Sequence, residues 1–304
     1  MIKKCISFML MFTFFASTSV KGSSSFSHEK HAYKENIYLY ENLENKKDKE
    51  NSVYTLLNNL SKSTKNIDGT ALNTSEKNWF FQPKKDNTPS GEPPEVIELL
   101  KKYSGYYLGD TSKKVLYLTF DEGYENGYSE KILDVLKANN VKAAFFVTTD
   151  YLKGNEELIK RMVKEGHLVC NHSTKHPSMA KVAASDKERF EKEFSVCEET
   201  FKEITGTEMP KFFRPPMGKY SELSLYYTQK LGYKTIFWSF AYKDWIPESQ
   251  PSQEEARKKI MGRTHNGAII LLHAVSKTNA EIMDSILKQW KADGYEFKTL
   301  EELP

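Results

Sequence analysis

The segment from Val115 to Tyr128 reads VLYLTFDEGYENGY, and it decides how the fold is interpreted. An apolar run rich in β-forming residues ends abruptly in Asp121 and Glu122, followed by glycine and tyrosines. Such a run is typical of a strand in a parallel sheet that is covered on both faces. The two acids then lie at the carboxyl end of the strand, where α/β folds build their active sites. Asp-Glu-Gly is also ordinary turn chemistry, so the interpretation depends on the rest of the chain.

A unit of one amphipathic helix followed by one β-rich run recurs on the carboxyl side of Val115. Each predicted helix ends at glycine or asparagine, and the β-rich runs read AAFFV, HLVCNH, KFFRP, KTIFWSF, GAIILLH and YEFKTL. This alternation predicts an α/β fold, a deformed (β/α) barrel of about seven units with mostly parallel strands. An open doubly wound sheet is the alternative. No GxGxxG or P-loop motif follows a strand, which argues against nucleotide binding.

The chain on the amino-terminal side of the barrel divides by composition. Lys3 and Lys4 precede a short apolar run, which predicts a signal peptide or membrane anchor over residues 1–22. Residues 23–75 are polar and predict a flexible tether to a membrane or a protein. Residues 76–112, with Trp79, Phe80, Phe81 and several prolines, predict an arm packed on the main domain, residues 113–304. We therefore expect a secreted or membrane-anchored, extracytoplasmic protein.

Charge and cysteine content exclude other classes. The 304 residues carry a net charge of +3 with 28% charged residues, a balance that argues against a nucleic-acid partner. Outside the predicted signal only Cys170 and Cys197 remain, too few for a disulfide framework.

Polar residues follow five of the predicted strands. Each has an ordinary explanation, such as a helix cap for an aspartate or a boundary position for a histidine. Accident does not explain why all five groups fall at the same strand end, where a βα barrel brings such residues into one pocket. The residues are Asp121 and Glu122; His172 and His176; Arg214; Asp244 and Trp245; and His273.

The chemistry of these groups fits one hydrolytic site. His172, His176 and one of the two acids suit a divalent transition metal with open positions for water and substrate. The other acid can take a proton from water, and a histidine on the opposite wall can protonate a leaving amine. Tyr124, Tyr128 and Trp245 would offer flat apolar surfaces to sugar rings. The sequence thus predicts a hydrolase that acts on an amide or ester.

The motifs TFDEG, HSTKH, RPPMG, an Asp-Trp pair and ILLH occur in this order, and together they resemble polysaccharide deacetylases, carbohydrate esterase family four with the NodB homology domain. The resemblance covers residues 113–304. It implies a metal-dependent N-deacetylase that uses zinc, another transition metal or magnesium. It also implies roles by position: Asp121 as base; Glu122, His172 and His176 as metal ligands; Arg214 orienting Asp121; Asp244 polarising the general acid His273; and the backbone N–H near Met217 binding the oxyanion.

Within the family, the segments NWFFQPKKDNTP, KKYSGYYLGDTSKK and ILLHAVSKTNAE resemble members that deacetylate N-acetylmuramic acid in sporulation. This implies action on peptide-free peptidoglycan after an amidase has removed the stem peptides, leading to muramic δ-lactam in spore cortex. The implied place is the forespore intermembrane space or cortex. Arg214 and Lys219 are candidates to bind the lactyl carboxylate. The alternatives are an N-acetylglucosamine deacetylase of peptidoglycan or chitin, and a catalytically weak glycan-binding module, suggested by Glu122 where relatives carry Asp or Asn.

Overall fold

The computed structural model describes residues 72–84 and 87–304. The predicted signal peptide or anchor and most of the predicted tether lie outside these residues. No helix in the described part combines the length and the apolar character that a membrane crossing requires.

One curled parallel sheet forms the centre of the described fold. A small antiparallel pair of strands lies beside it, made of the first and seventh strands. The ten strands are β1 (Lys77–Asn78), β2 (Gly105–Tyr106), β3 (Val115–Glu122), β4 (Ala144–Val147), β5 (Leu168–Asn171), β6 (Phe212–Phe213), β7 (Lys219–Tyr220), β8 (Lys234–Ile236), β9 (Ala268–His273) and β10 (Glu296–Phe297).

The sheet follows the order β10-β3-β4-β5-β6-β8-β2, and β9 also pairs with β3. Phe240, which follows β8, forms a parallel bridge with Ile270 of β9. The chain after β8 is therefore brought back beside β9, and the sheet curls into a half-barrel. This confirms the predicted deformed (β/α) barrel with parallel strands.

Nine α-helices of the described residues connect and cover the strands. Several end where glycine or asparagine adopts a left-handed backbone, as predicted; Gly206 caps the longest helix with φ 72°. The helices are α1 (Pro94–Lys102), α2 (Ser129–Ala138), α3 (Thr149–Gly154), α4 (Glu156–Lys164), α5 (Met179–Ser185), α6 (Lys187–Thr205), α7 (Glu222–Lys230), α8 (Gln253–Met261) and α9 (Lys277–Ala292).

Strand β3 is buried along its whole length, and its side chains alternate between two apolar layers. Leu116, Leu118 and Phe120 pack into the larger cluster, under helices α2 and α9. Val115 and Tyr117 point to the opposite face, into a second cluster. This alternation sets the directions of the two acids at the end of the strand.

The arm is fixed to the barrel through Trp79. Its ring stacks on Phe237 at 4.4 Å between centroids, and its Nε1 donates to the carbonyl of Trp238 at 2.9 Å. Its backbone N–H donates to the carbonyl of Gly218 at 2.7 Å. Gly218 has φ 64°, and a Cβ there would lie 2.9 Å from the Trp238 ring and 3.1 Å from Trp79. Only glycine therefore lets the arm approach the RPPMG loop this closely.

Candidate active site

Asp121 and Arg214 form a buried ion pair at the end of β3. Arg214 Nη1 donates to Asp121 Oδ1 at 2.7 Å, while its Nε donates to the carbonyl of Ile236 at 3.1 Å. The guanidinium is fully buried and lies 4.2 Å from the centroid of the Phe146 ring. Burial, the largest single effect, would raise the pKa of Asp121, but the opposing effects together, led by the charge of Arg214, outweigh it and the pKa is lowered. The carboxylate is thereby kept ionised and oriented.

His273 lies beside Asp121 because β3 and β9 are paired in a register that aligns the two residues. Asp244 Oδ1 holds His273 Nδ1 at 2.7 Å, and its Oδ2 accepts from the His273 backbone N–H at 2.9 Å. This leaves Nε2 as the nitrogen available to a substrate. Burial, the largest single effect, would lower the pKa of His273, but the charge and hydrogen bond of Asp244, together with the charge of Asp121, outweigh it and the pKa is raised.

His172 and His176 lie in the loop after β5, with ring centroids 4.9 Å apart. His172 is buried; its Nδ1 is 2.8 Å from the carbonyl of Arg214, and its Nε2 is 3.6 Å from Asp121 Oδ2. Burial lowers the pKa of His172 to about 4, so its ring is neutral at pH 7. A neutral imidazole is the form that binds metals.

The backbone of this loop is strained and is held by side chains around it. Ser173 and His176 have φ 69° and 54°, the left-handed region that non-glycine residues rarely occupy. Ser173 Oγ accepts from the His176 N–H at 2.9 Å. From α6, the buried Glu193 Oε2 accepts from the N–H groups of Thr174 at 3.0 Å and Lys175 at 2.9 Å. Such strain persists only where the surroundings impose it, which is the case at many functional sites.

Glu122 does not join the two histidines. It is fully buried, and neither carboxylate oxygen has a hydrogen-bond partner. By strand alternation it faces the layer of Phe120, opposite to Asp121. Burial, with the nearby charges of Glu125 and Asp121, raises its pKa well above the ordinary value. The structure therefore does not assemble the predicted ligand set of Glu122, His172 and His176.

The described side chains at this site do not form a complete set of metal ligands. Within residues 72–84 and 87–304, no group of three His, Cys, Asp or Glu side chains is placed to hold a metal ion. The two facing histidines are the donors that this site offers, and Asp121 beside them is engaged by Arg214. The donor set is thus incomplete by comparison with a three-ligand catalytic site.

The four predicted substrate-binding residues differ in exposure. Tyr124, Met217 and Trp245 are each about half exposed, and the Trp245 ring lies 5.7 Å from that of His273. Tyr128 instead packs against the main apolar cluster, because it immediately precedes α2 and its ring turns inward. It does not offer the flat open surface that was predicted.

Two contributing residues were not identified from sequence. Asn279 Nδ2 donates to Asp244 Oδ2 at 2.6 Å, so it fixes the carboxylate that holds His273. Glu193 fixes the histidine loop, as described above. Both residues lie on helices. The only indication in the sequence is that each is a polar residue on an otherwise apolar face of its helix.

Asp121, His273 and the pair of His172 and His176 lie together at one end of a parallel half-barrel, an arrangement that suits general acid–base hydrolysis. The sequence profile of polysaccharide deacetylases matches residues 108–236. Peptidoglycan-N-acetylmuramic acid deacetylase PdaA of Bacillus subtilis is 43% identical over 227 residues, 74% of this chain and 85% of that protein. Peptidoglycan-N-acetylglucosamine deacetylase of Bacillus cereus is 31% identical over 228 residues, 74% of this chain and 79% of that protein. The solved structure of Bacillus subtilis PdaA, a family 4 carbohydrate esterase, matches with a TM-score of 0.73 and 40% identity over 76% of this chain and 97% of that one.

The chain therefore belongs to the polysaccharide deacetylase family, and it is an enzyme of that class. Deacetylases of this family are generally metal-dependent.

The position of Glu122 leads to a prediction. We expect Glu122→Gln to retain most of the turnover, because a buried carboxyl without a partner takes up a proton and is then nearly isosteric with glutamine. Acetate release and zinc affinity should be measured beside His172→Gln, which removes a histidine at the site. A loss in Glu122→Gln as large as the loss in His172→Gln would show that Glu122 reaches the metal after all.

The contacts of Glu193 lead to a second prediction. We expect Glu193→Ala to lower kcat/KM about tenfold and to destabilise the fold by about 1 kcal/mol, since two partly buried N–H groups lose their acceptor. Glu193→Gln should retain most of both, because its amide oxygen can accept the same bonds. Glu199→Ala, an exposed glutamate of the same helix, is the control. Equal kcat/KM in Glu193→Ala and wild type would exclude this role.

Proposed function

We propose that the protein removes the N-acetyl group of N-acetylmuramic acid in peptide-free peptidoglycan, and that its product leads to muramic δ-lactam in spore cortex. The observation that carries the hydrolytic part is the β3–β9 register, which aligns Asp121 with His273 on neighbouring strands. The similarity to PdaA, a named N-acetylmuramic acid deacetylase, supports the substrate.

In the proposed reaction, Asp121 accepts a proton from the water that attacks the acetyl carbonyl carbon. Arg214 holds Asp121 Oδ1, while Oδ2, which lies 3.6 Å from His172 Nε2, is the oxygen that takes up the proton. The C–N bond then breaks, His273 Nε2 donates a proton to the departing amine, and acetic acid leaves and ionises to acetate. Asp121 returns its proton to solvent and His273 takes one up, which restores the starting state. Asp244 fixes the orientation of His273 and stabilises the imidazolium form that must donate.

A cationic side chain is expected to bind the lactyl carboxylate of muramic acid. The two candidates, Arg214 and Lys219, differ in burial. Arg214 is fully buried and its donors are used by Asp121 and the carbonyls of Ile236 and Phe237. It is therefore not available to the substrate, contrary to the expectation from sequence. Lys219 is partly exposed, although its Nζ is paired with Glu76 at 3.1 Å, and it stays a candidate.

We also propose that a divalent metal binds beside His172 and His176, with zinc, another transition metal or magnesium as the ion. A bound metal would act as a Lewis acid at this site. Because Glu122 does not complete the ligand set, we expect the ion to be held less tightly than in a three-ligand site, and a chelator to remove it readily.

The proposed setting is extracytoplasmic, in the forespore intermembrane space or cortex. The amino-terminal segment serves there as a signal or tether, and an amidase supplies the peptide-free strands. The substrates are the glycan strands of peptidoglycan.

Mass spectrometry of glycan products tests the proposal. Peptide-free muramic acid glycan and a chito-oligosaccharide are each incubated with the protein, with and without chelator and with divalent metals added back. We expect acetyl loss at muramic acid alone, lost with chelator and restored by metal. Turnover of the chito-oligosaccharide instead would move the substrate to N-acetylglucosamine, the substrate in the name of the Bacillus cereus relative. Binding without turnover under every metal would favour a glycan-binding module.

A further inference from the structure

Four large hydrophobic side chains are strongly exposed in the described part of the chain: Phe80 at 59%, Met217 at 52%, Tyr124 at 51% and Trp245 at 48%. Single exposed apolar residues are common on protein surfaces. Here three of the four follow the carboxyl ends of β3, β6 and β8, the end of the sheet that carries Asp121 and His273. Their grouping around the site, rather than their exposure, points to a ligand.

Phe80 reaches the same place from the arm. Strands β1 and β7 are antiparallel, with Lys77 opposite Tyr220 and Asn78 opposite Lys219. The hydrogen bond from the Trp79 N–H to the Gly218 carbonyl continues this register by one residue. Phe80 follows Trp79 and Met217 precedes Gly218, so the two exposed residues flank this hydrogen bond.

The two aromatic residues at this point of the arm have different surroundings. Trp79 is only 6% exposed and its ring is stacked on Phe237, so it fastens the arm to the barrel. Phe80, the next residue, is instead 59% exposed to solvent. The anchoring of Trp79 places the backbone of Phe80 beside the RPPMG loop.

We propose that Phe80 and Met217 form an additional sugar subsite, which stacks a ring of the glycan strand next to the sugar that is deacetylated. The inference rests on the proposed function and deepens it. Met217 is three residues from Arg214, whose guanidinium holds Asp121, so the subsite adjoins the reacting sugar. The C–H faces of a pyranose ring are apolar, and flat aromatic rings fixed on a rigid support are suited to cover them.

The chemistry of the subsite separates it from the reaction itself. It contains an apolar ring and a thioether and adds no charge. It therefore binds the apolar face of a sugar and does not discriminate between sugars by their substituents. It therefore contributes to binding of a strand that extends beyond the reacting sugar, and nothing to binding of a substrate too short to reach it. Its signature is a dependence of KM on the length of the glycan.

The test compares wild type, Phe80→Ala and Phe80→Trp as full-length proteins on long peptide-free glycan strands and on a single disaccharide. We expect Phe80→Ala to raise KM for the long strands about fivefold, the loss of one aromatic contact, with kcat unchanged. Kinetics on the disaccharide should equal those of wild type, and Phe80→Trp should restore the long-strand KM. Gln82→Ala, an exposed neighbour on the same arm, is the control.

Equal KM values for Phe80→Ala and wild type on long strands would overturn the inference while leaving the proposed function intact. Equal losses on long strands and on the disaccharide would also overturn it, since they indicate a general disturbance. If wild type releases no acetate from either substrate, the proposed function fails separately. Calorimetric binding of the same long strands to wild type and Phe80→Ala then decides the subsite: weaker binding by the variant supports it, and equal binding refutes it.

Discussion

Asp121→Asn is expected to lower acetate release by about 10²–10⁴-fold, because the variant removes the group that accepts the proton of the attacking water. Asparagine keeps the shape of the side chain and an oxygen that can accept from Arg214 Nη1. The loss should therefore appear in kcat, with little change in the affinity for glycan. Initial rates of acetate release on peptide-free glycan measure it.

The same substitution also affects stability, and this effect must be separated from catalysis. Arg214 is fully buried, so in Asp121→Asn its charge has no ionic partner, and we expect a loss of about 3 kcal/mol in the free energy of unfolding. Circular dichroism at the assay temperature establishes that the variant is folded. His273→Gln removes the acid without touching the buried pair, and it should lose turnover with little loss of stability. A folded Asp121→Asn variant with turnover near wild type would rule out Asp121 as the base.

Asp244→Asn is expected to lower kcat about 10²–10³-fold at neutral pH and to change the shape of the pH profile. In the proposed reaction His273 donates a proton, so only its protonated form would be active. Asp244 raises the pKa of His273 against the opposing effect of burial, and without its charge burial prevails and the pKa falls. The active form is then lost at a lower pH, so the alkaline limb of the kcat profile should move to lower pH.

The pH dependence of kcat and the titration of His273 by NMR measure this effect together. Asp284→Asn, which changes a partly exposed aspartate of α9, is a control that should leave both unchanged. An alkaline limb that stays in place in Asp244→Asn would mean that another group acts as the acid.

The positions of the strand ends could be predicted from the sequence because buried strands are recognisable as apolar runs. Apolar runs predicted β3, β5 and β9, and parallel strands bring their carboxyl ends together, so Asp121, His172 and His273 were expected to converge. The structure brings them together, with Arg214 and Asp244 beside them.

The directions of individual side chains could not be read in the same way. Asp121 and Glu122 are adjacent acids at the end of β3, and successive side chains of a strand point to opposite faces of the sheet. The sequence does not show which of the two faces carries the site. The burial of Arg214 was equally hidden, since arginine is usually exposed and only the structure shows its guanidinium enclosed by Phe146 and two carbonyls. Asn279 and Glu193 contact residues that are distant from them in the sequence. Both lie on helices, where a polar residue normally indicates a face exposed to solvent.

The pairing of β3 with β9 has a consequence for how this enzyme can change. Asp121 and His273 are fixed to each other by the hydrogen bonds of two neighbouring strands, whereas Tyr124, Met217 and Trp245 lie on the connections that follow strands and Phe80 lies on the arm. Under the proposed function, the groups of the reaction and the groups that contact the polymer thus belong to separable parts of the fold. New glycan preferences can be engineered into the connections and the arm while the distance between base and acid stays under the control of the sheet.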